Sequence, residues 1–231
     1  MKKKEITKIL IFRTDRIGDL INTSSVLKSL KKYYHNSEIS LVCSEYNSSI
    51  AFNYEFIDNV LIYNKSDSLL SKIKFFLRNI TVNYDICVPL DGKKISKLIT
   101  LFSRAKQKYI ISFKKRKNFF GFKINIFRPS LFLCKFFFNT YIICDEDYSK
   151  RNVNSEFNNH YLSMYYYLFK KNNVILVPGK HIFELDKNSL DKFGNFFSNY
   201  INDKYINIHV DNKWYKHGLS FDKFIIFLKN I

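Results

Sequence analysis

The apolar positions of this chain fall into short β-branched runs, separated by longer stretches with helical spacing. Residues 6–12 (ITKILIF) read as a buried strand, and polar loop residues follow at once. A helix is predicted from about Asp19 to Tyr34, where Leu20, Ser24, Leu27, Leu30 and Tyr34 recur at helical spacing. A second strand follows at 38–43 (EISLVC), a short helix over Tyr46–Tyr54, and a third strand at 59–63 (NVLIY). The alternation continues with a lysine-studded helix over 67–79, a strand at 84–90 (YDICVPL), a helix over Lys93–Ser103 and a strand at 108–112 (KYIIS). Strands that alternate with helices in this way build βαβ units and a parallel sheet. Right-handed crossovers then give a Rossmann-like α/β layer.

From about 113 to 154 the pattern breaks down. A basic run, Lys114-Lys115-Arg116-Lys117, precedes Phe119, Phe120, Phe122 and Phe127 and the apolar stretch 131–138. Basic residues interleaved with aromatics suit a membrane interface or stacked bases, but a long insertion packing its aromatics on the first domain is the favoured reading, with interfacial contact the runner-up. Residues 156–171 read as a helix, and Pro178-Gly179 break the chain after it. An extended piece at 181–185, a helix at about 187–200, a strand at 205–210 (YINIHV), a loop at 211–219 and a helix capped by Ser220 complete the pattern. The predicted organisation is a first domain over 1–172, then a linker and the start of a second domain over 173–231. One strand, one loop and one helix do not bury a sheet alone, so the second Rossmann-like unit is expected to be incomplete.

Composition narrows the classes. Hydrophobic residues at 46% and aromatics at 18% supply a core and exclude a wholly disordered chain. With 6 Gly and 3 Pro, collagen-like and Pro-rich repeats are excluded as well. A net charge of +18 favours anionic partners. Lys, Asn, Ile, Phe and Tyr are also what an A+T-rich genome supplies, so a solvated lysine-rich surface stands beside a binding patch as an explanation. Nucleic acid ranks last among the partners, since no nucleic-acid motif is present and the charge is spread along the chain. Cys43, Cys87, Cys134 and Cys144 form no CxxC pair, and three of them (Cys43, Cys87, Cys144) sit in strand-like runs, as buried free thiols of a reducing compartment do. The apolar run Ile9–Phe12 ends at Arg13, too short for a secretory signal, and Leu131–Cys144 is broken by Lys135 and Asn139. A cytoplasmic protein is expected, resting on the inner face of a membrane where it meets one.

The best local chemistry is the segment Arg13-Thr14-Asp15-Arg16-Ile17-Gly18-Asp19, placed where a parallel strand meets a helix N-terminus. Ligands of open α/β sheets bind there. Gly18 permits a tight turn and close approach of a substrate. Asp19 carries a carboxylate able to take a proton from a sugar hydroxyl, or else it is an ordinary helix N-cap. The segment is not GxGxxG, so a dinucleotide site has little support. Asp145-Glu146-Asp147 lies in the irregular stretch and reads as a solvated acidic patch. His160 reads as structural, His209 ends a strand without an identifiable partner, and Trp214 anchors its loop or packs on a ligand.

Residues 9–43 as a whole resemble the N-terminus of the bacterial heptosyltransferase family, glycosyltransferase family nine. The likeness rests on Arg13, Asp15, Gly18 and Asp19, on Thr23-Ser24-Ser25, on 57–63 (IDNVLIY), and on 84–92 (YDICVPLDG) followed by a helix and Arg104-Ala105. A second match is 205–224, where Lys213 and Lys216 sit in a loop after a strand. There the sequence departs from the family, with His209-Val210-Asp211 after the strand and Lys216-His217-Gly218-Leu219 in the Lys-Arg-Trp-Pro position. The resemblance implies a GT-B architecture and inverting transfer from a nucleotide-sugar donor to a glycolipid or oligosaccharide acceptor, with no metal and no further cofactor. It implies Asp19 as general base and Arg13, Asp15, Arg16 and Gly18 on the acceptor side. Lys216, with Lys213, would face the donor diphosphate, or both are solvated loop lysines. A non-catalytic acceptor- or membrane-binding module derived from such an enzyme is the other reading.

Overall fold

The computed structural model describes residues 8–114, 116–119, 122–125, 136–145, 162–180, 182 and 191. Six strands form one parallel sheet: β1 (Lys8–Arg13), β2 (Glu38–Cys43), β3 (Asn59–Ile62), β4 (Ile86–Pro89), β5 (Gln107–Lys114) and β8 (Thr140–Asp145). Their spatial order is β3-β2-β1-β4-β5-β8, and every neighbouring pair runs parallel. Between β5 and β8, strands β6 (Arg116–Phe119) and β7 (Phe122–Asn125) pair antiparallel as a separate two-stranded ribbon. The expected Rossmann-like α/β layer is therefore present.

The pleat sorts the core into two layers. Ile9 and Ile11 of β1, with Ile39, Leu41, Ile86 and Val88, pack under the helices α1 (Ile17–Tyr33), α2 (Glu45–Ala51) and α5 (Ser163–Lys170). Leu10 and Phe12, with Val42 and Cys87, pack under α3 (Leu69–Thr81) and α4 (Lys94–Phe102). Central strands covered on both faces need apolar side chains at every position, and β1 is buried from Ile9 through Arg13. The period of two puts Arg13 on the face of Ile9 and Ile11, beneath α1 and α5.

Three features differ from the sequence expectation. Helix α1 starts at Ile17, two residues before Asp19, because the Leu20 amide already bonds Arg16 O at 3.1 Å. The stretch predicted to be irregular contains β8, the sixth strand, whose β-branched and aromatic run pairs with β5 from Tyr109↔Thr140 onward. The predicted linker is not free. Val174 and Leu176 are buried in the core while Ile175 and Val177 face out, a strand-like alternation. Ser29 Oγ donates to Val177 O at 2.6 Å, and the Ile182 amide donates to Ser24 Oγ at 2.7 Å. The chain accordingly divides into the units Met1–Asp186 and Lys187–Ile231, beyond the expected boundary at 172. The expected second Rossmann-like unit lies outside the described residues.

Candidate functional site

The order β3-β2-β1-β4-β5-β8 reverses between β1 and β4, so the loops leaving these two strands diverge to opposite sides and open a crevice. Arg13 closes β1 at its floor. The residue has no exposed surface. Its guanidinium is satisfied from three elements: Nε donates to Asp19 O (3.1 Å), and Nη1 donates to Leu90 O (2.5 Å) and to the Tyr165 hydroxyl (3.0 Å). Tyr165, from α5, donates its own hydroxyl hydrogen bond to Leu90 O at 3.0 Å and lays its ring 5.7 Å from the guanidinium carbon. A charge in an apolar layer is tolerated only when so enclosed. Arg13 therefore acts on the crevice from below, through the groups it holds.

Two carboxylates flank it. Asp15 Oδ1 lies 3.2 Å from Arg13 Nε, and Asp19 Oδ1 lies 3.6 Å from Nη2. The Nε hydrogen is directed at Asp19 O, so the Asp15 contact is a charge pair, and its buried Oδ1 accepts no hydrogen bond. Burial pushes the Asp15 carboxyl from 3.8 up to about 6; Arg13 opposes the rise, while Asp19 and Asp91 add to it. The Asp19 side chain is the more open of the two, 35% exposed against 16% for Asp15. It occupies the first turn of α1 rather than the N-cap, which is Arg16. A carboxylate in a first helical turn is stabilised by the helix dipole.

The loops on either side are clipped together by groups the sequence did not single out for the purpose. Asp91, just after β4, accepts from the Thr14 amide (3.1 Å), the Thr14 hydroxyl (2.6 Å) and the Ser96 hydroxyl (2.8 Å) on Oδ2, and from the Lys93 amide (3.0 Å) on Oδ1. Gly92 next to it has φ +66°, a conformation that favours glycine. Asn47, buried on α2, donates to Arg13 O at 2.8 Å and accepts from the Ser44 amide at 2.9 Å. The Thr23-Ser24-Ser25 stretch is buried and turned toward the core side: Ser25 Oγ accepts from the Tyr166 hydroxyl at 3.2 Å, and Ser24 Oγ from the Ile182 amide. Its small side chains let α5 and the following segment approach α1.

Above this floor opens a cleft of about 540 Å³, lined among others by Asp15, Arg16, Asp19, Tyr46, Lys65 and Lys93. Arg16 is exposed at its rim. Gly18 is exposed too, but it needs no special turn. Its φ is not positive, and nothing lies within 4 Å of where a Cβ would stand. The expected tight turn is thus absent, and the open approach remains. The structure brings together Arg13, Asp15, Arg16, Gly18 and Asp19. Lys213 and Lys216 fall outside the described residues, as do His160, His209 and Trp214. Cys43 and Cys87 are buried free thiols, and burial pushes both up to about 12, so they are neutral at ordinary pH. Among the described residues no group of three or more His, Cys, Asp or Glu side chains is placed to hold a metal ion.

No protein-family model matches the chain. A search of curated proteins likewise finds no match. Solved structures do resemble it. A glycosyltransferase of family 9 from Veillonella parvula DSM 2008 superposes with a TM-score of 0.63 at 17% identity, over 86% of this chain and 51% of that one. The E. coli heptosyltransferase WaaC with ADP gives a TM-score of 0.51 at 16% identity, over 75% of this chain and 50% of the other. E. coli ADP-heptose LPS heptosyltransferase II gives 0.50 at 12% identity, over 83% and 51%. The chain spans about half the length of these structures. It has, over that half, the fold of the family 9 glycosyltransferases that its opening motif resembles.

Proposed function

We propose that this chain belongs to an inverting glycosyltransferase that moves a heptose or related sugar from a nucleotide-sugar donor to a lipopolysaccharide or other surface-glycan acceptor, and that its first domain carries the acceptor side. The observation that carries the reading is Asp19, an accessible carboxylate at the mouth of the cleft whose main chain and side chain are both held by buried Arg13. In the reaction, an acceptor hydroxyl beside Asp19 loses its proton to the carboxylate as its oxygen attacks the anomeric carbon. The bond from that carbon to the donor diphosphate breaks on the opposite face. Arg13 holds the base; Arg16, Lys65 and Lys93 supply positive charge around an anionic acceptor; Asp15 sits below, between Arg13 and the cleft. Lys213 and Lys216 would offset charge on the leaving diphosphate. The nucleotide-sugar part of the reading is supported by the fold shared with a heptosyltransferase solved with ADP.

The test is nucleotide release from ADP-heptose in the presence of a lipid-linked oligosaccharide, with amide NMR of Thr14–Asp19 and Asp91 as the parallel readout of acceptor binding. Asp19→Asn should keep the NMR shifts caused by acceptor and lower turnover at least about 100-fold. Turnover that Asp19→Asn leaves unchanged overturns Asp19 as the base. Acceptor binding without any transfer assigns the chain to a binding module instead.

A further inference from the structure

The outer surface of α3 and α4 is the most apolar exposed face among the described residues. On α3, Leu69 (73% exposed), Leu70 (79%), Ile73 (46%) and Leu77 (51%) turn away from the sheet. On α4, Leu98 (45%) and Phe102 (59%) do the same. The two helices lie side by side on one sheet face, with the Phe76 and Phe102 rings 6.1 Å apart. The inward sides of both helices already fill their core layer through Phe75, Phe76, Ile80, Ile95 and Ile99. The outward aliphatic side chains are therefore not part of that layer, and with Phe102, which touches it only through Phe76, they make a group of large exposed side chains rather than scattered singles.

The charged side chains on the two helices have one sign, and exposed Asp67, just before α3, is the acidic residue nearest the stripe in sequence. Lys74, Arg78 and Lys94 are exposed on the same helices, and neither α3 nor α4 contains an acidic residue. Apolar side chains flanked by lysine and arginine, on helices without a counter-charge, match a surface that is apolar below and anionic above. A protein partner would have to offer that same layering; a second copy of this face would meet like charge with like charge. No helix among the described residues is long and apolar enough to cross a membrane.

We propose that the α3–α4 face docks on the surface of an anionic lipid bilayer, with Leu70, Ile73, Leu77 and Phe102 inserted to the headgroup boundary and Lys74, Arg78 and Lys94 at the phosphates. This moves the membrane contact from the basic-aromatic segment after Phe113 to a folded helical face. It also has a geometric consequence. Helix α3 opens four residues after Lys65, which lines the cleft, so the proposed docking face follows directly on a cleft-lining segment. Docking there would set the cleft beside lipid headgroups.

The experiment is sedimentation of the 231-residue chain with sucrose-loaded vesicles of phosphatidylcholine alone or with 30 mol% phosphatidylglycerol (roughly the charge of an anionic membrane face). Binding to the anionic vesicles and weaker binding to the neutral ones are expected. Lys74→Glu with Arg78→Glu should lower partitioning at least roughly 30-fold, since each basic charge near such a surface contributes about fivefold. Leu70→Ser with Leu77→Ser should weaken it as well, while circular dichroism stays unchanged because these positions are exposed. Asp19→Asn should bind like the parent, which separates this proposal from the fate of the transfer reaction. Absence of binding to anionic vesicles overturns the proposal. So does binding that survives both double variants and is lost on Lys115→Glu with Arg116→Glu, or a concentration-dependent dimer that the leucine variants abolish.

Discussion

Asp15→Asn should stabilise this protein at neutral pH and leave it unchanged in acid. The Asp15 carboxyl has a pKa of about 6 in the folded chain against an ordinary 3.8, with burial as the main cause. A raised carboxyl pKa means that the native state holds the proton more tightly than the unfolded one. Stability then falls as pH rises from about 4 to about 6 and is flat above. The full displacement corresponds to about 3 kcal/mol, of which about 2 kcal/mol falls between pH 4.5 and 7.5. The Asp15 side chain is only 16% exposed, so water screens little of this energy. Asparagine keeps the shape of the neutral acid and removes the charge. The assay is urea unfolding of both chains, followed by circular dichroism, at intervals from pH 4.5 to 7.5. Taking the difference between variant and parent cancels the other titrating groups. The difference should grow with pH by about 2 kcal/mol in favour of Asp15→Asn. A flat difference, or one that grows in favour of the parent, would show that the Arg13 contact outweighs burial and that the ionised pair is the stable form.

Two further substitutions probe the same layer. Tyr165→Phe keeps the ring over the guanidinium but removes the hydroxyl between Arg13 and Leu90 O, and it should cost about 2 kcal/mol in urea unfolding; a cost under about 0.5 kcal/mol would mean that water or Leu90 O replaces it fully. Arg13→Met should cost about 3–5 kcal/mol by leaving Asp15 without its counter-charge, and adding Asp15→Asn should recover a substantial part of that loss, as a double-mutant cycle will read.

Much of the sheet was legible because its strands are nearly pure apolar runs, and a run such as Ile39–Cys43 has no other economical use. Arg13, Asp15, Gly18 and Asp19 were legible as a motif for the same reason: four special residues directly after such a run. What they do was less so. Nothing local in Arg13 says that it is buried, since a basic residue after an apolar run ordinarily faces solvent; only its odd-numbered place after Ile9 and Ile11 points inward. Tyr165 is invisible in the sequence because it is one of three consecutive tyrosines in its helix and its partner, Arg13, lies 152 positions away. Asp91 and Gly92 stand out in the sequence through the family resemblance, although an Asp-Gly pair after a strand is a turn signal in its own right. Strand β8 is hard to separate in the sequence because its short apolar run follows the apolar residues 136–138 with only Asn139 between them. Residues 174–177 look like linker in the sequence because Pro178-Gly179 follow at once, and four consecutive aliphatic residues do not by themselves show which alternate pair is buried.

Why the chain places an arginine where another aliphatic would complete the layer is a question of energetics as much as function. A buried ion pair seldom stabilises a fold more than well-packed apolar side chains of the same volume. Replacing Arg13 alone is costly because Asp15 is then left charged and enclosed, not because the pair contributes a large net stability. Asp19, with a third of its side chain open to water, does not share that dependence. The arginine is better explained by direction than by energy. Its planar fork fixes Asp19 O and Leu90 O relative to one another, one in the first turn of α1 and the other on the loop after β4, and Tyr165 braces the fork from α5. A methionine would fill the space and fix neither. On this argument the Arg13→Met, Asp15→Asn chain regains much of its stability, yet the NMR signals of Thr14–Asp19 and Asp91 should broaden or move together. Recovered stability with an unmoved set of signals would mean that Asp91 and Asn47 hold the crevice without help from the guanidinium.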